Sequence, residues 1–436
     1  MSELCITVIG RTAEDIRQAR AAAEATADLV ELRLDSMEMP DAAAALEGRR
    51  KPAIATCRPL REGGMFDGPE DARLRVLSEA HARGAEFIDL EWDALQAPVK
   101  AERAGRGVIV SRHVFDCTPS NAAAMFDHLR GQGCEVAKLA VMTERVSDLR
   151  TLLHAVRADR ASVLIGMGSS GAATRVLAAR YGSRWTYAGD GVAPGQMPAS
   201  RLIDEFRFRR IRPDAAVYGL LGRPVSQSLS PAMHNAAFAA LDMDWAYVVL
   251  PTAPELLGDA VRGLAALGFA GANVTTPHKL AVTEFCDTDA PSVNTLVVRE
   301  GRVEGWTTDA AILDGLPRES PVVIGDGGVA TAFLQALPSA RRFARRGTWP
   351  PEVDGADLVV NATSERDAVL VELGPGQTLV DLPYPDTATA EAARRGGAHV
   401  VSGLEVLLAQ GVAAFELWTG RQAPVEVMRK ALGLPS

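Results

Sequence analysis

The alternation of short apolar runs with helical stretches constrains this chain more than any other feature. Residues 4–10, 28–35, 52–59, 87–92, 107–115, 135–141, 162–168 and 185–190 each have the length and largely apolar character of a strand buried on both faces. Between them lie Ala-, Leu- and Arg-rich stretches of helical period, such as 12–27, 69–84 and 119–131. Eight strand-then-helix units in about 210 residues is the arithmetic of a (β/α)8 TIM barrel. A doubly wound open sheet shares the alternation. Polar residues close nearly every run at its C-terminal end, and a barrel gathers all eight such ends into one mouth, so the barrel is the expected architecture.

The segment Phe206-Arg-Phe-Arg-Arg-Ile-Arg-Pro213 is basic, ends in proline and precedes a fresh apolar run at 216–221, which places a domain boundary there. The second half alternates again: strands at 245–250, 271–275, 295–298 and 379–382, a glycine turn at 322–328, a strand ending at Asn361, and a long helix from about Gly403. This pattern predicts two α/β lobes, the later one for a dinucleotide. The fold class is therefore α/β throughout, with domains at 1–212 and 216–436.

Composition narrows the chemistry. With 47% hydrophobic and 23% charged residues, the chain has enough apolar material for two cores and is not a disordered one. Its net charge of −9 disfavours nucleic acid and anionic membrane surfaces as partners, so an anionic small substrate must be caught by locally placed Arg and Lys. No apolar run approaches the length of a membrane span, and the N-terminus does not read as a signal peptide. Five scattered cysteines without a CxxC pattern fit reduced thiols and a cytoplasmic protein, and the seven histidines lack metal-ligand spacing, so no metal is expected. A homo-oligomer is compatible with all of this.

In the first half, Lys138 stands inside Val136-Ala-Lys-Leu-Ala140, where burial disfavours the charged amine, the condition a Schiff-base lysine needs. A lysine reaching out from a strand end fits the same string. His113, in Ser111-Arg-His-Val-Phe115, closes the preceding run, and adjacent barrel strands bring the two within reach of one substrate. An imine on Lys138 is an electron sink, and His113 can remove a proton alpha to it. Glu31, Arg33 and Asp35 alternate to one side of the second run, either lining the site or forming a buried salt-bridge layer. Arg58 and Glu62 precede a glycine pair, Asp89 and Glu91 end the fourth run, and Arg175 follows the seventh, placed to grip a carboxylate.

Across residues 4–212 these motifs resemble type I 3-dehydroquinate dehydratase: the Glu-Leu-Arg-Leu-Asp run, Arg58…Glu62-Gly-Gly, Ser111-Arg-His113 with Thr118-Pro119, Lys138, and Ala193-Pro-Gly-Gln196. The resemblance implies Lys138 as the imine-forming lysine and His113 as general acid/base. It implies Arg175 and Gln196 as substrate contacts, with Glu31, Arg33, Arg58 and Glu62 lining the site. Val192 stands where that family has a serine.

In the second half, Ser228 and Ser230 precede a helix and either cap it or hold a ligand. Gly271-Ala-Asn-Val-Thr-Thr-Pro-His-Lys279 presents Asn273, Thr275 and Lys279 at a strand end, with Asn294 and Asp309 downstream. A lysine paired with a carboxylate can hand a proton to a carbonyl oxygen as hydride reaches its carbon; a plain surface ion pair fits the spacing equally. Val322-Val-Ile-Gly-Asp-Gly-Gly-Val-Ala330 gives G-x-G-x-x-A between strand and helix, the turn that lets a pyrophosphate approach a helix N-terminus. Arg341, Arg342, Arg345 and Arg346 follow where a ribose contact is expected, favouring NADP over NAD, or forming a solvated basic face.

These residues resemble shikimate dehydrogenase over 216–436, through Ser228-Leu-Ser-Pro, Asn273-Val-Thr-Thr-Pro-His-Lys, Val293-Asn-Thr, Asn361-Ala-Thr-Ser and Ser402-Gly-Leu-Glu…Gln410. The resemblance implies Lys279 and Asp309 as the catalytic pair and Ser228, Ser230, Asn273, Thr275, Asn294, Tyr384 and Gln410 around the substrate. It implies NADP(H) at Gly325, Gly327, Gly328, Ala330, Arg345, Arg346, Asn361 and Thr363. The substrate lobe is expected at about 216–315 plus the C-terminal helices and a shortened NADP lobe at about 320–400, lacking either a helix or a helix and a strand, with Asp326 in its glycine turn. Together the two resemblances imply a bifunctional enzyme of the shikimate pathway: dehydration of 3-dehydroquinate, then reduction of 3-dehydroshikimate. An active dehydratase with a degenerate second half, or a quinate dehydrogenase there, are the alternatives.

Overall fold

The computed structural model describes residues 2–94, 106–157, 161–189, 191 and 193–435. The chain divides into two compact units, Met1–Ala215 and Ala216–Ser436.

In the first unit, eight parallel strands follow one another around a barrel: β1 (Glu3–Val8), β2 (Leu29–Arg33), β3 (Ala53–Thr56), β4 (Phe87–Glu91), β5 (Val108–Val114), β6 (Val136–Met142), β7 (Ser162–Met167) and β8 (Trp185–Ala188). β8 pairs with β1, while β7 and β8 share no regular ladder, so the cylinder is nearly closed. At that seam the Arg184 amide donates to the Ser162 carbonyl (2.8 Å), and the Ser183 hydroxyl takes both the amide and the carbonyl of Leu164 (3.0 and 3.2 Å). A side chain thus satisfies backbone groups that a shorter strand leaves unpaired. Helices such as Ala13–Ala23, Glu70–Ala82, Ala122–Gly131 and Val146–His154 follow their strands. The first starts at Thr12, whose side chain and that of Asp15 cap each other's backbone amides.

Strand alternation sorts the barrel interior by height. Cys5, Leu29, Ile54, Phe87, Ile109, Val136, Val163 and Trp185 make an apolar floor. Two residues further along each strand stand Thr7, Glu31, Thr56, Asp89, Ser111, Lys138, Ile165 and Tyr187, and the register keeps these positions on the inner face around the ring. The next inward step holds Arg33, Arg58, Glu91 and His113. A ring of buried charge above an apolar floor is not how a barrel maximises stability, since well-packed apolar side chains would serve at least as well.

The second unit carries two five-stranded sheets. β9 (Val217–Gly222), β10 (Ala246–Pro251), β11 (Gly271–Val274), β12 (Thr295–Arg299) and β13 (Arg302–Trp306) are ordered β10-β9-β11-β12-β13, with the last two antiparallel. The second sheet is wholly parallel: β14 (Pro321–Ile324), β15 (Arg341–Phe343), β16 (Leu358–Asn361), β17 (Thr378–Asp381) and β18 (His399–Val401), ordered β15-β14-β16-β17-β18. Helix Gly328–Ala336 links β14 to β15, but residues 344–357, between β15 and β16, hold no helix, as the short spacing there predicts. The expected loss of a strand does not follow: Arg341 and Arg342 themselves form β15. The long helix Gly403–Thr419 packs Phe415 into the first lobe's core and Val406 into the second's, tying the lobes together. Among the described residues, no helix is long and apolar enough to cross a membrane.

Candidate active sites

Lys138 sits midway along β6 with its amine buried. Its Nζ meets Asp89 Oδ2 at 3.0 Å and Glu31 Oε1 at 3.4 Å, and lies 4.5 Å from the centre of the Tyr187 ring. The lysine therefore points into the barrel, not out from a strand end. Thr7 and Thr56 donate to the two oxygens of Glu31 (3.0 and 3.1 Å), so that carboxylate is fixed from both sides. Burial would raise Glu31, but the charges of Lys138, Arg33 and Arg58 outweigh it and hold the carboxyl below its ordinary range.

Ser111 is the register partner of Lys138 on β5, and His113 is the inward residue two positions further toward the barrel mouth, roughly 7 Å along the strand. The charge of Lys138 reaches the His113 imidazole, so the two groups share the interior side of adjacent strands. His113 Nδ1 lies 3.0 Å from Glu62 Oε2, which also accepts from the His113 backbone amide at 2.8 Å. Burial, then the nearby Arg58 and Lys138 charges, lower the imidazole to about 4 against the upward pull of Glu62. Its resting form at neutral pH is the neutral base. With Nδ1–H held by Glu62, Nε2 is the atom left to take a proton.

The arginines divide by what they hold. Arg33 forms a two-point pair with Asp35 (3.0 and 2.7 Å). Arg58 gives its terminal nitrogens to Asp89 (2.7 and 3.3 Å), Glu91 (2.9 Å) and the Ser111 hydroxyl (2.7 Å). Both are occupied by the scaffold, the salt-bridge alternative for this layer. Burial pushes the Glu91 carboxyl up to about 7 despite Arg58 and Arg73. Arg175 differs. It is buried, among the described residues meets only the carbonyls of Tyr187 and Pro194 at 3.4 Å and leaves Nε without a partner, and is lowered by desolvation to about 10. A buried guanidinium without a carboxylate is a site for one from outside.

The loop after β8 closes this arrangement. Gly195 has φ +74°, and a Cβ there would lie 2.2 Å from the Gly168 carbonyl, so only glycine lets the loop lie so close. Gln196 then donates to Thr7 Oγ1 at 3.1 Å, joining the Thr7–Glu31–Lys138 series. Val192 and Asp190 in this loop lie outside the described residues.

In the second unit, the site residues come from one edge of the first sheet. Lys279 follows β11, Asn294 precedes the antiparallel β12, and Asp309 follows β13, so three strand ends meet. Lys279 Nζ lies 2.7 Å from each oxygen of Asp309. Asn294 Nδ2 donates to Asp309 Oδ1 (2.9 Å), to Thr308 Oγ1 (3.0 Å) and toward Gln410 Oε1 (3.4 Å), while its Oδ1 accepts from the Thr308 amide (2.7 Å). Asn273 accepts from Tyr247 (2.9 Å) and donates to Thr295 (3.1 Å). The Tyr247 hydroxyl lies beside Ser230, and the Tyr384 hydroxyl lies near the Leu229 backbone, bringing a residue of the second lobe toward the Ser228–Ser230 loop. Ser228 Oγ accepts from the Ser230 amide at 3.3 Å, and Thr275 is half-buried beside Gly222.

The glycine turn abuts this cluster. A Cβ on Gly328 would lie 2.5 Å from that of Lys279, so glycine lets the helix N-terminus press against the lysine, and Ser292 Oγ donates to the Gly328 carbonyl at 2.7 Å. Gly327 faces open space, Gly325 has φ +137°, and Ala330 is buried. Arg345 and Arg346 stand exposed just beyond β15, with Arg345 paired to Glu365 at 2.9 Å. Asn361 is bound to Asp381 (2.7 Å) and caps Thr363 (2.8 Å), so both shape the turn after β16. An open glycine turn, free helix amides and arginines beyond the second strand fit a phosphorylated dinucleotide.

Sequence reasoning missed Tyr187, Tyr247, Ser292 and Trp92. Inward parity on β8 could have found Tyr187. The others touch partners far away in the chain.

An imine-competent lysine–imidazole barrel joined to a unit with a lysine–carboxylate pair beside a dinucleotide turn defines a two-reaction α/β enzyme. The family model for type I 3-dehydroquinase matches residues 4–213, that for the shikimate dehydrogenase substrate binding domain matches 220–296, and that for the shikimate 5′-dehydrogenase C-terminal domain matches 403–432. The chloroplastic bifunctional 3-dehydroquinate dehydratase/shikimate dehydrogenase of Arabidopsis thaliana is 30% identical over 93% of this chain and 79% of its own. An NADP(+) shikimate dehydrogenase of Anaeromyxobacter sp. is 40% identical over 50% of this chain and 96% of its own. A solved dehydroquinate dehydratase and shikimate dehydrogenase structure from S. pombe is 22% identical, covers 99% of this chain and 98% of that one, and has a TM-score of 0.41. The chain belongs to the bifunctional 3-dehydroquinate dehydratase/shikimate dehydrogenase family.

Proposed function

We propose that residues 1–212 dehydrate 3-dehydroquinate through an imine on Lys138 and that residues 216–436 reduce the resulting 3-dehydroshikimate to shikimate with NADPH. The observation that carries the first half is the presence in one barrel of a buried lysine, a neutral imidazole and a buried guanidinium that meets no carboxylate among the described residues. Arg175 takes the substrate carboxylate. The Lys138 amine adds to the ketone and expels water, giving an imine that withdraws electrons from the neighbouring carbon. His113 Nε2 removes the proton there, and the imidazolium so formed is the acid that returns it to the departing hydroxyl as water. Hydrolysis of the imine restores Lys138 and frees the enone. Glu62 steadies the imidazolium, while Glu31 and Asp89 hold the lysine in place.

In the second unit, Gly325, Gly327, Gly328, Arg345 and Arg346 would hold NADP(H), which supplies a hydride. Lys279 protonates the carbonyl oxygen as it becomes an alcohol, and Asp309 orients that ammonium. Ser228, Ser230, Asn273, Thr275, Asn294, Tyr384 and Gln410 supply hydroxyl, amide and phenol groups suited to a small polyhydroxy acid. Consecutive reactions on one chain raise the local concentration of the shared intermediate. A cytoplasmic location accords with the five free cysteines.

Borohydride added with 3-dehydroquinate should fix an adduct on Lys138, and NADPH should be oxidised on adding 3-dehydroshikimate. An adduct elsewhere counts against the imine; absent NADPH turnover and binding count for a degenerate second half, and preference for quinate redefines its substrate.

A further inference from the structure

Trp92 has no place in the reaction as described, yet it is held more firmly than its partial exposure requires. It follows the last residue of β4, and its backbone amide continues the ladder by donating to the Ser111 carbonyl at 2.9 Å. Its own carbonyl accepts from Gln132 at 3.3 Å. The Arg112 guanidinium lies 4.4 Å above its ring, a cation–π contact that fixes the indole plane. So anchored, the indole Nε1–H donates to Glu62 Oε1 at 3.1 Å. The other oxygen of that carboxylate is the one that holds the His113 ring and amide.

We infer that Trp92 is a positioning residue for the dehydration: by pinning Oε1 of Glu62 it fixes Oε2 on His113 Nδ1 and so keeps Nε2 turned to the substrate. The inference rests on the dehydratase reading above. Glu62 sits on the single 3-10 turn Leu60–Glu62, and a glutamate side chain there has rotamer freedom that one imidazole contact does not remove. The indole supplies the second point, since a carboxylate held at both oxygens has one orientation. Among the described residues, neither Lys138 nor Arg175 has Trp92 as a partner, so the loss should fall on proton transfer and spare substrate capture.

The test is a cycle of Trp92→Phe and Glu62→Gln on the full chain. Phenylalanine keeps an aromatic surface for Arg112 and removes only the donor. A hydrogen bond to a charged group is typically strong enough that its loss should lower kcat for 3-dehydroquinate about tenfold, with KM within about twofold and the borohydride adduct on Lys138 still formed. In the Glu62→Gln background the same substitution should cost nothing further. Unchanged kcat in Trp92→Phe, or equal proportional losses in both backgrounds, would overturn the inference. Should Trp92→Phe not fold, Arg112→Ala is read in the same cycle, with a kcat loss of about threefold expected from an unclamped ring and the same two outcomes deciding. A parent chain that does not dehydrate 3-dehydroquinate overturns the reading beneath; a parent that does, beside an unaffected variant, overturns only the role of Trp92.

Discussion

The two units build a reactive lysine in opposite ways. In the barrel, Lys138 is a strand residue paired with Glu31 and Asp89, and the ion pairs run on from Asp89 to Arg58, Glu91 and Arg73, so its environment is the interior of the fold. In the second unit, Lys279 lies in the loop after β11, and its environment is assembled where three strand ends and a helix N-terminus meet. The barrel therefore commits folding energy to a buried ion network, and the other unit delegates positioning to loops. Preorganisation by burial should make barrel substitutions costly for stability as well as turnover; preorganisation by loops should separate the two.

The largest effect expected is from Lys138→Ala. It removes the proposed imine nucleophile and leaves Glu31 and Asp89 without their lysine. Dehydration and borohydride trapping should vanish, and the barrel should lose about 3–5 kcal/mol, the usual cost of breaking a buried pair by deleting one partner. Lys279→Ala should lower shikimate oxidation by about 10²- to 10³-fold with little change in thermal stability, and should leave dehydration intact. Steady-state assays of both reactions beside thermal melts check this. Equal destabilisation by the two substitutions, or loss of both activities from either, would break the comparison.

Acid should separate the units next. His234 is fully buried against Tyr247 (ring centres 4.6 Å apart), neither ring nitrogen has a partner among the described residues, and desolvation lowers it to about 3. The unfolded chain takes up this proton below its ordinary pKa of about 6.5, while the folded state does not. Stability is therefore complete above about pH 6.5 and falls as the pH drops, by roughly 2 kcal/mol at pH 5. In the barrel, His113 has the same sign, lowered to about 4, but Glu91 is raised to about 7 and has the opposite one. Between pH 7 and 4.5 these nearly offset. Dehydrogenase activity should therefore be lost before dehydratase activity on mild acidification, and His234→Phe should narrow the gap. The order reversed would show that the barrel network is not balanced in this way.

How far the sequence disclosed these sites follows from which interactions are local. Strands buried on both faces wrote themselves as apolar runs, so all eight barrel strands were legible to within a few residues. So was the charged part of the inner ring, because inward positions recur every second residue and Glu31, Asp89 and Lys138 break the apolar pattern there, whereas Tyr187 does not stand out from it. The strands that escaped notice are β13, β15 and β18, at sheet edges or carrying Arg341, Arg342 and His399; exposure removes the apolar signature. Trp92 was illegible for another reason: its partner Glu62 is 30 residues away in the chain, and only the pairing of β3 with β4 brings the indole to the carboxylate. Arg58 read as a ligand contact because nothing in its neighbourhood along the chain shows that Asp89, Glu91 and Ser111 take its terminal nitrogens.

The smallest effect expected lies at the far edge of the second unit, where exposure replaces burial altogether. Arg345 is the arginine just beyond β15 that would meet a 2′-phosphate, yet it donates to Glu365, a residue of the turn after β16. Glu365 and the phosphate are rival anions for the same guanidinium. Both groups are solvent-accessible, so the rivalry is weak and salt-screened. Glu365→Ala should tighten NADP+ binding about threefold at low salt and leave NAD+ binding unchanged, with the gain shrinking as ionic strength rises. Titration calorimetry with each dinucleotide reads this without turnover. Equal tightening of both would place the effect on the pyrophosphate, and hence on the glycine turn that carries Asp326, instead of on the ribose edge.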